Sequence, residues 1–478
     1  MLASTTPSSA SGVSARRDWT ALLLVLLPAL GLRLWLAANN AFLSVDAVFY
    51  LDQTARLLSQ GKLPYSCFPP GWPLLVAGPA VFLDAGDPAI LLRTAHYANA
   101  VLGTLFALLT YLLIRPRLGA WPALGAAALV AFLPETLVLS KTALSEMSYA
   151  CALLGAWLLA RRRLDWRAGL LFGFAYLIRP EALFAATGLA LYHFWRERRA
   201  PWAFGFTVLA SVVPYVVFLK VTSGVLSLSG KSVAISLSLA AHPGLDYVGL
   251  VVRNLGIFLP RLPGLIGWPL ALAAVLGMVV RRGRWLWMLA PMLPIPFIIN
   301  PMVVRFWAPY LPFLLLAAGE GLWWILQWPL PGRIRMRGAV LGFICLGGLA
   351  LAVTDDFPWV MRNTEAYHGL KDGGLWLREH VEPDTVIAAY KPYTSYWAGC
   401  AFIKYPANLR AVELVAWARN GGAEYMIVNV GVVHSLVPAL DPLLASPLPP
   451  DLQKRVTLVQ LLRYDVVSHN TAIYRIER

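Results

Sequence analysis

Ionisable side chains recur in this sequence at the ends of long apolar runs, where a charge is costly and usually serves a function. The first is Asp46, which follows the first apolar run. Helical spacing places Phe49, Tyr50 and Gln53 on the same helix face as Asp46. A carboxylate in this position could act as a general base toward a hydroxyl group. The alternative is that Asp46 only caps the helix that follows it, a common role of aspartate.

Later apolar runs also end in polar or charged residues, and these fall on the same predicted side of a membrane as Asp46. They are Arg93, His96, Asn99, Glu135, Lys141, Ser145, Glu146, Arg179, Glu181 and Arg305. Any one of them could simply pair with a neighbour. Their common location favours a shared functional site for the set.

The composition indicates an integral membrane protein. Of 478 residues, 58% are hydrophobic and 14% are charged, against about 25% charged in soluble domains. Low charge and only four cysteines exclude a disordered chain and a disulfide scaffold. Eleven apolar runs are predicted to cross the membrane. They lie at about 19–38, 90–114, 119–133, 142–160, 168–178, 181–195, 202–222, 263–280, 285–300, 306–328 and 338–354.

Basic clusters in every second connection predict the orientation. They hold 17 of the 40 Lys and Arg residues, so the positive-inside bias places the N-terminus in the cytoplasm. Residues 355–478, with 12 basic and 13 acidic residues, then lie outside. Nucleic-acid binding is excluded because the excess positive charge belongs to short cytoplasmic loops. Residues 1–18 are predicted to form a disordered cytoplasmic terminus, and 19–354 a transmembrane module.

Two outer connections position the candidate residues. The first, residues 39–89, carries Lys62 and a proline-rich segment at 69–83 that is predicted to form an interfacial helix. The second is the Arg179-Pro180-Glu181 turn between two short crossings. Because charges at membrane depth require a covering of protein or water, this turn predicts a cavity that opens outward.

Five motifs together resemble a known family. They are Asp46-x3-Tyr50, Pro69-Pro70-Gly71-Trp72-Pro73-Leu74-Leu75, Ser145-Glu146, Arg179-Pro180-Glu181 and Arg305-Phe306-x3-Tyr310-Leu311-Pro312. In this order they resemble the GT-C fold glycosyltransferases that use polyprenyl-phosphate-linked sugars. Bacterial family 39, which is related to protein O-mannosyltransferases and to the lipid A aminoarabinose transferase, is the most similar by pattern.

The resemblance implies a bacterial cytoplasmic-membrane enzyme that transfers a sugar, with inversion, to a hydroxyl group of a glycan, lipid or protein. Asp46 would be the general base, with Glu146 as its competitor. The donor phosphate would bind among Arg179, Arg305, Lys62, Arg93 and Tyr50. Gln53, His96, Glu135, Glu181 and Tyr310 would line the acceptor cavity.

Two departures from the family pattern limit this assignment. Ala47 replaces the acidic residue that many relatives carry after the loop aspartate. A divalent cation needs several oxygen ligands, so we expect no metal and no cofactor. Cys67-Phe68 replaces the Glu-Lys of the aminoarabinose branch, which weakens that specificity.

The C-terminal residues read as a small extracytoplasmic α/β domain. Helices are predicted at 370–380 and 409–420, and strands at 385–390, 400–405, 424–430, 456–464 and 471–476. This domain would cap the cavity, help to bind the acceptor or only add stability. Cys67 and Cys400 both lie on the oxidising side, but the sequence leaves their pairing open.

Two other functions are compatible with the sequence. A secondary transporter would also have about eleven spans, although it often shows internal repeats, and none is visible here. A ligase or polymerase of lipid-linked glycans would use the same type of substrate.

Overall fold

The computed structural model describes residues 11–230, 247–258, 267–280, 304–327, 360 and 368–477, apart from positions 41, 65, 67, 84, 85, 164, 199, 200, 307, 407 and 466. Its first part is helical. The helices are α1 (Ser11–Ala38), α2 (Val45–Gln60), α3 (Gly71–Ala80), α4 (Pro88–Leu118), α5 (Ala120–Phe132), α6 (Pro134–Lys141), α7 (Glu146–Arg161), α8 (Asp165–Ile178), α9 (Ala182–Glu197), α10 (Trp202–Ser223), α11 (Tyr247–Phe258), α12 (Trp268–Val280) and α13 (Leu311–Gln327). Short 3-10 turns at Val304–Phe306 and Ala308–Tyr310 precede α13.

Several of these helices have the length and apolarity of membrane spans. Within the described residues they are Arg17–Ala38, Pro88–Leu118 and Trp202–Ser223, and α5 with α6 forms a fourth if this pair, bent by 55°, is one span. Other predicted spans are shorter helices, such as α7, α8 and α9. The predicted spans at 285–300 and 338–354 lie outside the described residues. The chain is a multi-pass membrane protein.

Helix α1 begins at Ser11, so part of the terminus predicted to be disordered is helical. An ion pair accompanies this extension, because Arg115 Nη2 lies 2.8 Å from Asp18 Oδ2. The polar residues that precede the apolar run are thus part of helix α1.

A buried arginine stabilises the bend between α5 and α6. Pro134 starts α6, and the helix break frees carbonyl groups at the end of α5. The guanidinium of Arg33, on α1, donates to the carbonyl oxygens of Ala131 (2.5 Å) and Val130 (3.2 Å) and to Ser140 Oγ (3.0 Å). Sequence analysis did not identify Arg33 as a structural residue. It is a single charge within the apolar run 19–38, and the run is long enough to be predicted as a span despite this charge.

Small residues let two helices approach closely. A Cβ atom added to Gly277 of α12 would lie 1.9 Å from the carbonyl oxygen of Ala317 in α13, and one on Gly321 would lie 2.1 Å from that of Ala273. Close contact through small residues is a common way for membrane helices to pack without a hydrophobic driving force.

The C-terminal segment, residues 368–477, contains a five-stranded sheet with helices around it. Its elements are α14 (His368–His380), β1 (Val386–Ala389), α15 (Tyr393–Ala398), β2 (Ala401–Lys404), α16 (Ala411–Asn420), β3 (Tyr425–Asn429), α17 (Val430–Leu436), α18 (Pro450–Gln453), β4 (Val456–Leu462) and β5 (Thr471–Ile476). The strand order is β2-β1-β3-β5-β4. Strand β1 pairs in parallel with β2 and β3, whereas β5 is antiparallel to β3 and β4. All five predicted strands and both predicted helices are present.

The C-terminal segment packs on the helices that carry the candidate site. Tyr396 Oη of α15 donates to the carbonyl oxygen of Pro88 at the start of α4 (2.8 Å). Arg378 Nη1 of α14 lies 3.6 Å from Asp87 Oδ1, which also accepts a hydrogen bond from Ala89 N as the N-cap of α4. Buried apolar residues of α2, α3 and α4 join one hydrophobic cluster with those of the segment.

Candidate active site

Asp46 forms an ion pair with a residue far away in the sequence. Its Oδ2 lies 2.6 Å from Nη2 of Arg305, and each side chain is 28% exposed. The N-cap of α2 is Ser44, whose Oγ accepts from Ala47 N (3.1 Å), so Asp46 is free of the capping role. Within the described residues, no hydrogen bond of Asp46 Oδ1 is present. Asp46 therefore offers a partly open carboxylate in the first turn of α2.

Glu146 is placed by a tightly bonded loop before α7. Asn99 Nδ2 donates to the carbonyl oxygens of Thr142 (2.5 Å) and Leu144 (2.7 Å). Tyr50 Oη and Ser145 Oγ share a hydrogen bond of 3.0 Å, which ties the loop to α2. Glu146 then opens α7, where the helix dipole favours a negative charge.

The Arg179-Pro180-Glu181 turn connects α8 to α9 and is buried. Arg179 Nη1 lies 3.0 Å from Glu146 Oε1, and Nη2 lies 3.2 Å from Glu181 Oε1. Arg179 is only 5% exposed, so protein covers the charges of this turn. Two carboxylates compensate the buried guanidinium, which would otherwise be strongly unfavourable.

Arg305 connects the two ion-pair systems. Its Nε lies 3.5 Å from Glu146 Oε1, so Glu146 lies near both arginines. The ring of Phe306 is close to both guanidinium groups, with its centroid 4.8 Å from Arg179 Cζ and 5.2 Å from Arg305 Cζ. Tyr310 is buried in the adjacent turn, which packs on α7. We call Asp46, Glu146, Arg179, Glu181 and Arg305 the charge cluster.

The charge cluster contains three carboxylates and two guanidinium groups. It therefore has no spare positive charge for a phosphate group. Among the described residues, Glu146 Oε2 is buried without a hydrogen bond, and Arg305 Nε is buried with the 3.5 Å ion-pair contact to Glu146 but no hydrogen bond. Such atoms need a partner, and a bound substrate would supply one.

The C-terminal segment brings Lys391 within electrostatic range of Asp46, with Lys404 beside it, and sequence analysis missed both lysines. Lys404, at the end of β2, pairs with Ala389 at the end of β1, directly before Tyr390 and Lys391. The Tyr390 ring centroid lies 5.2 Å from Lys391 Nζ and 5.5 Å from Lys404 Nζ. Burial and the charge of Lys404 lower the pKa of Lys391, whereas the negative charge of Asp46 acts in the opposite direction. Lys391 and Asp46 thus interact electrostatically. One signal in the sequence could have indicated this pair of lysines: both follow or end predicted strands, and the carboxyl ends of adjacent parallel strands lie together.

Other candidates lie apart from the charge cluster or on its edge. Lys62 is exposed. Arg93 is exposed and lines a separate cavity. His96 is fully buried, with its Nε2 atom 3.4 Å from Asn40 Nδ2. Gln53 is buried on α2, and its Nε2 donates to the carbonyl oxygen of Phe68 (3.4 Å).

Glu135 is half-buried in the first turn of α6. The described part of the chain contains no group of three His, Cys, Asp or Glu residues arranged to hold a metal ion. Cys400 has a free thiol, and Cys67 lies outside the described residues.

Comparison with known proteins gives matches at the level of structure. No family model matches the chain, and no curated protein sequence matches it. The archaeal oligosaccharyltransferase AglB from Archaeoglobus fulgidus, in complex with an inhibitory peptide and a dolichol-phosphate, matches with a TM-score of 0.59 and 14% identity. That match covers 98% of this chain and 74% of AglB.

A second match is ArnT from Cupriavidus metallidurans. Its structure bound to undecaprenyl phosphate matches with a TM-score of 0.57 and 12% identity, covering 95% of this chain and 97% of ArnT. The apo structure of ArnT matches with a TM-score of 0.56 and 13% identity. These neighbours are GT-C glycosyltransferases. At such identities the likeness establishes architecture, and the chain has the GT-C fold that its motifs predict.

Proposed function

We propose that this protein transfers a sugar from a polyprenyl-phosphate donor to a hydroxyl acceptor at the outer face of the bacterial cytoplasmic membrane. The observation that carries the proposal is the Asp46–Arg305 ion pair, which joins a candidate base to a candidate phosphate ligand within 2.6 Å. The neighbours support the donor class, because one was solved with dolichol-phosphate and another with undecaprenyl phosphate.

In the proposed reaction Asp46 acts as the general base. Its carboxylate takes the proton of the acceptor hydroxyl as that oxygen forms a bond to the anomeric carbon. The bond between the anomeric carbon and the phosphate oxygen breaks, and its electron pair leaves with the polyprenyl phosphate. This single displacement inverts the anomeric centre. The leaving phosphate is a stable anion, so no general acid is required.

The same ion pair suggests how donor binding prepares the base. In the structure Arg305 donates a hydrogen bond to one carboxylate oxygen of Asp46 and so occupies that oxygen. A donor phosphate that binds Arg305 would compete with Asp46 for the guanidinium. Asp46 would then be released toward the acceptor, and both of its carboxylate oxygens would be free only when donor is present.

The phosphate needs more positive charge than the charge cluster contains. Arg179 is already compensated by Glu146 and Glu181. Lys391 and Lys404 of the C-terminal segment would supply the missing cations, and preorganised positive charge stabilises a leaving phosphate effectively. We therefore assign the extracytoplasmic segment a role in donor binding rather than only in stability.

We propose that the reaction is independent of metal ions. Asp46 is followed by Ala47, and its nearest charged partner is a guanidinium group. By contrast, a structure of the Archaeoglobus oligosaccharyltransferase was obtained with zinc and sulfate. Activity of the purified protein should persist in excess EDTA, and its loss with recovery on adding a divalent cation would contradict this part of the proposal.

Mass spectrometry of envelope lipids and glycans tests the function. Cells that carry the wild-type gene should contain a glycosylated product that is missing in Asp46→Asn cells, in which the donor lipid accumulates. Asp52→Asn is the matched control, because Asp52 lies on the same helix but is exposed and paired with Arg56 (3.1 Å). Unchanged product in Asp46→Asn cells would refute the proposal. A product that carries a whole oligosaccharide would favour the glycan-ligase alternative.

A further inference from the structure

A second basic site lies away from the charge cluster. It is a cavity of about 200 Å³ between the end of α1, the first turns of α4 and helices α14 and α15 of the C-terminal segment. Its polar and aromatic lining comprises Asn39, Asn40, Arg93, His368, Lys371 and Trp397. None of these residues belongs to the charge cluster.

The cavity carries uncompensated positive charge. Among the residues that the structure describes, neither Arg93 nor Lys371 has a carboxylate within salt-bridge distance. The neighbouring Arg378 on α14 does have one, Asp87. Lys371 Nζ lies 5.2 Å from the Trp397 ring centroid, which fixes the ammonium group at the cavity wall. Two unpaired cations beside amide groups form a suitable environment for a phosphate anion.

The surface that continues from the cavity is apolar. Tyr97, Val101 and Leu105 follow Arg93 at helical spacing of four residues, so they lie in one row along α4. They are 39%, 54% and 37% exposed. Helix α4 is long and apolar enough to cross a membrane, and this exposed apolar row is of the kind that faces lipid in such a helix. The basic cavity and the apolar row of Tyr97, Val101 and Leu105 thus follow one another along the same helix.

We propose that this cavity binds the phosphate headgroup of an anionic membrane lipid, whose acyl chains lie along the Tyr97–Val101–Leu105 row. Arg93 belongs to the membrane helices and Lys371 to the C-terminal segment, so the lipid phosphate bridges the two parts. This site is independent of the proposed glycosyl transfer, and its test requires no turnover.

Native mass spectrometry of the full-length protein in detergent tests the site. The probes are phosphatidylglycerol, zwitterionic phosphatidylcholine and inorganic phosphate, each added alone. Wild-type protein should retain phosphatidylglycerol in preference to phosphatidylcholine. Arg93→Gln and Lys371→Gln should each weaken phosphatidylglycerol binding about tenfold, because each removes a hydrogen bond to a charged group.

Two further variants separate charge from folding. Lys371→Arg keeps the positive charge and should retain the lipid, whereas Lys454→Gln removes an exposed lysine elsewhere in the C-terminal segment and should change nothing. Equal phosphatidylglycerol binding by wild type, Arg93→Gln and Lys371→Gln would overturn the proposal. Equal retention of both lipids by wild type would also overturn it, as would binding of inorganic phosphate without preference for phosphatidylglycerol.

Discussion

At the scale of single residues, Asp46 and Glu146 differ in what their carboxylates touch. Asp46 is partly exposed and, among the described residues, forms an ion pair with Arg305 alone, whereas Glu146 is buried between Arg179 and Arg305. A general base must reach the acceptor hydroxyl, which favours Asp46. Glu146 instead holds both guanidinium groups in place.

This difference predicts distinct kinetic effects. Asp46→Asn keeps the size of the side chain but removes its basicity, so kcat should fall by roughly 10²–10⁴. Glu146→Gln leaves Arg179 with less compensation and should lower thermal stability as well as activity. Turnover and thermal unfolding of both purified variants check the assignment. Near wild-type turnover of a stably folded Asp46→Asn protein would place the base elsewhere, with Glu146 as the next candidate.

Lys391 gives a prediction about pH. Burial and Lys404 lower its pKa, so its positive charge is present at low pH and is lost as pH rises, before the ordinary lysine value of about 10.4 is reached. The KM for the donor should therefore increase at alkaline pH, and Lys391→Gln should raise it about tenfold with little change in kcat. Lys391→Arg, which stays charged, should abolish the alkaline increase. A KM that is unchanged in Lys391→Gln would exclude this lysine from donor binding.

The charge cluster could be predicted from sequence because each member ends an apolar run, where a charge stands out. Lys391 could not, because it lies in a segment that is predicted to be outside the membrane, where lysines are common. Arg93 was predicted at the donor phosphate for the same reason as Arg179, yet it lines another cavity. The sequence indicates how far along α4 Arg93 lies, but it does not indicate the direction of the Arg93 side chain.

At the scale of elements, the contact between α1, α4 and α6 depends on a residue without a side chain. A Cβ atom at Gly103 of α4 would lie 2.0 Å from Ser140 Oγ and 2.7 Å from Arg33 Nε. Gly103→Val would therefore separate Arg33 from the carbonyl groups that it satisfies at the α5–α6 bend.

We expect Gly103→Val to lower the free energy of unfolding by about 1–3 kcal/mol from overpacking alone. Gly125→Val is the control, because nothing lies within 4 Å of a Cβ atom there. Thermal unfolding of both variants in detergent measures the difference. Equal stability of the two variants would show that the α1–α4 contact adapts to the extra volume.

Helices and strands of the C-terminal segment were predictable where the apolar pattern was clear and the element was long enough to show it, as for β3 and β5. Helix α15 was missed because it has only six residues, too few for a helical period to appear. Helix α6 was likewise missed, because its residues Pro134–Lys141 lie in the connection between the predicted spans at 119–133 and 142–160.

At the scale of the whole molecule, the orientation in the membrane is a prediction from basic clusters. Lys454→Cys, in the C-terminal segment, should react with a membrane-impermeant maleimide in intact cells. Arg162→Cys, at the end of α7 in a predicted cytoplasmic loop, should react only after permeabilisation. Both residues are exposed in the structure. The reverse pattern would invert the topology and place the charge cluster on the cytoplasmic side.

The sequence distances within the charge cluster impose an order on biosynthesis. Arg179 meets Glu181 two positions away and Glu146 33 positions away, so its compensation is available as soon as α8 and α9 have been synthesised. Asp46 must wait for Arg305, 259 positions later. Because chains fold from the N-terminus during synthesis, we expect a ribosome-bound intermediate to insert Arg179 already paired with its carboxylates while Asp46 is still without Arg305. The charge of Arg179 is thus compensated early in synthesis, whereas the ion pair on which the proposed function depends forms only after residue 305 has been inserted.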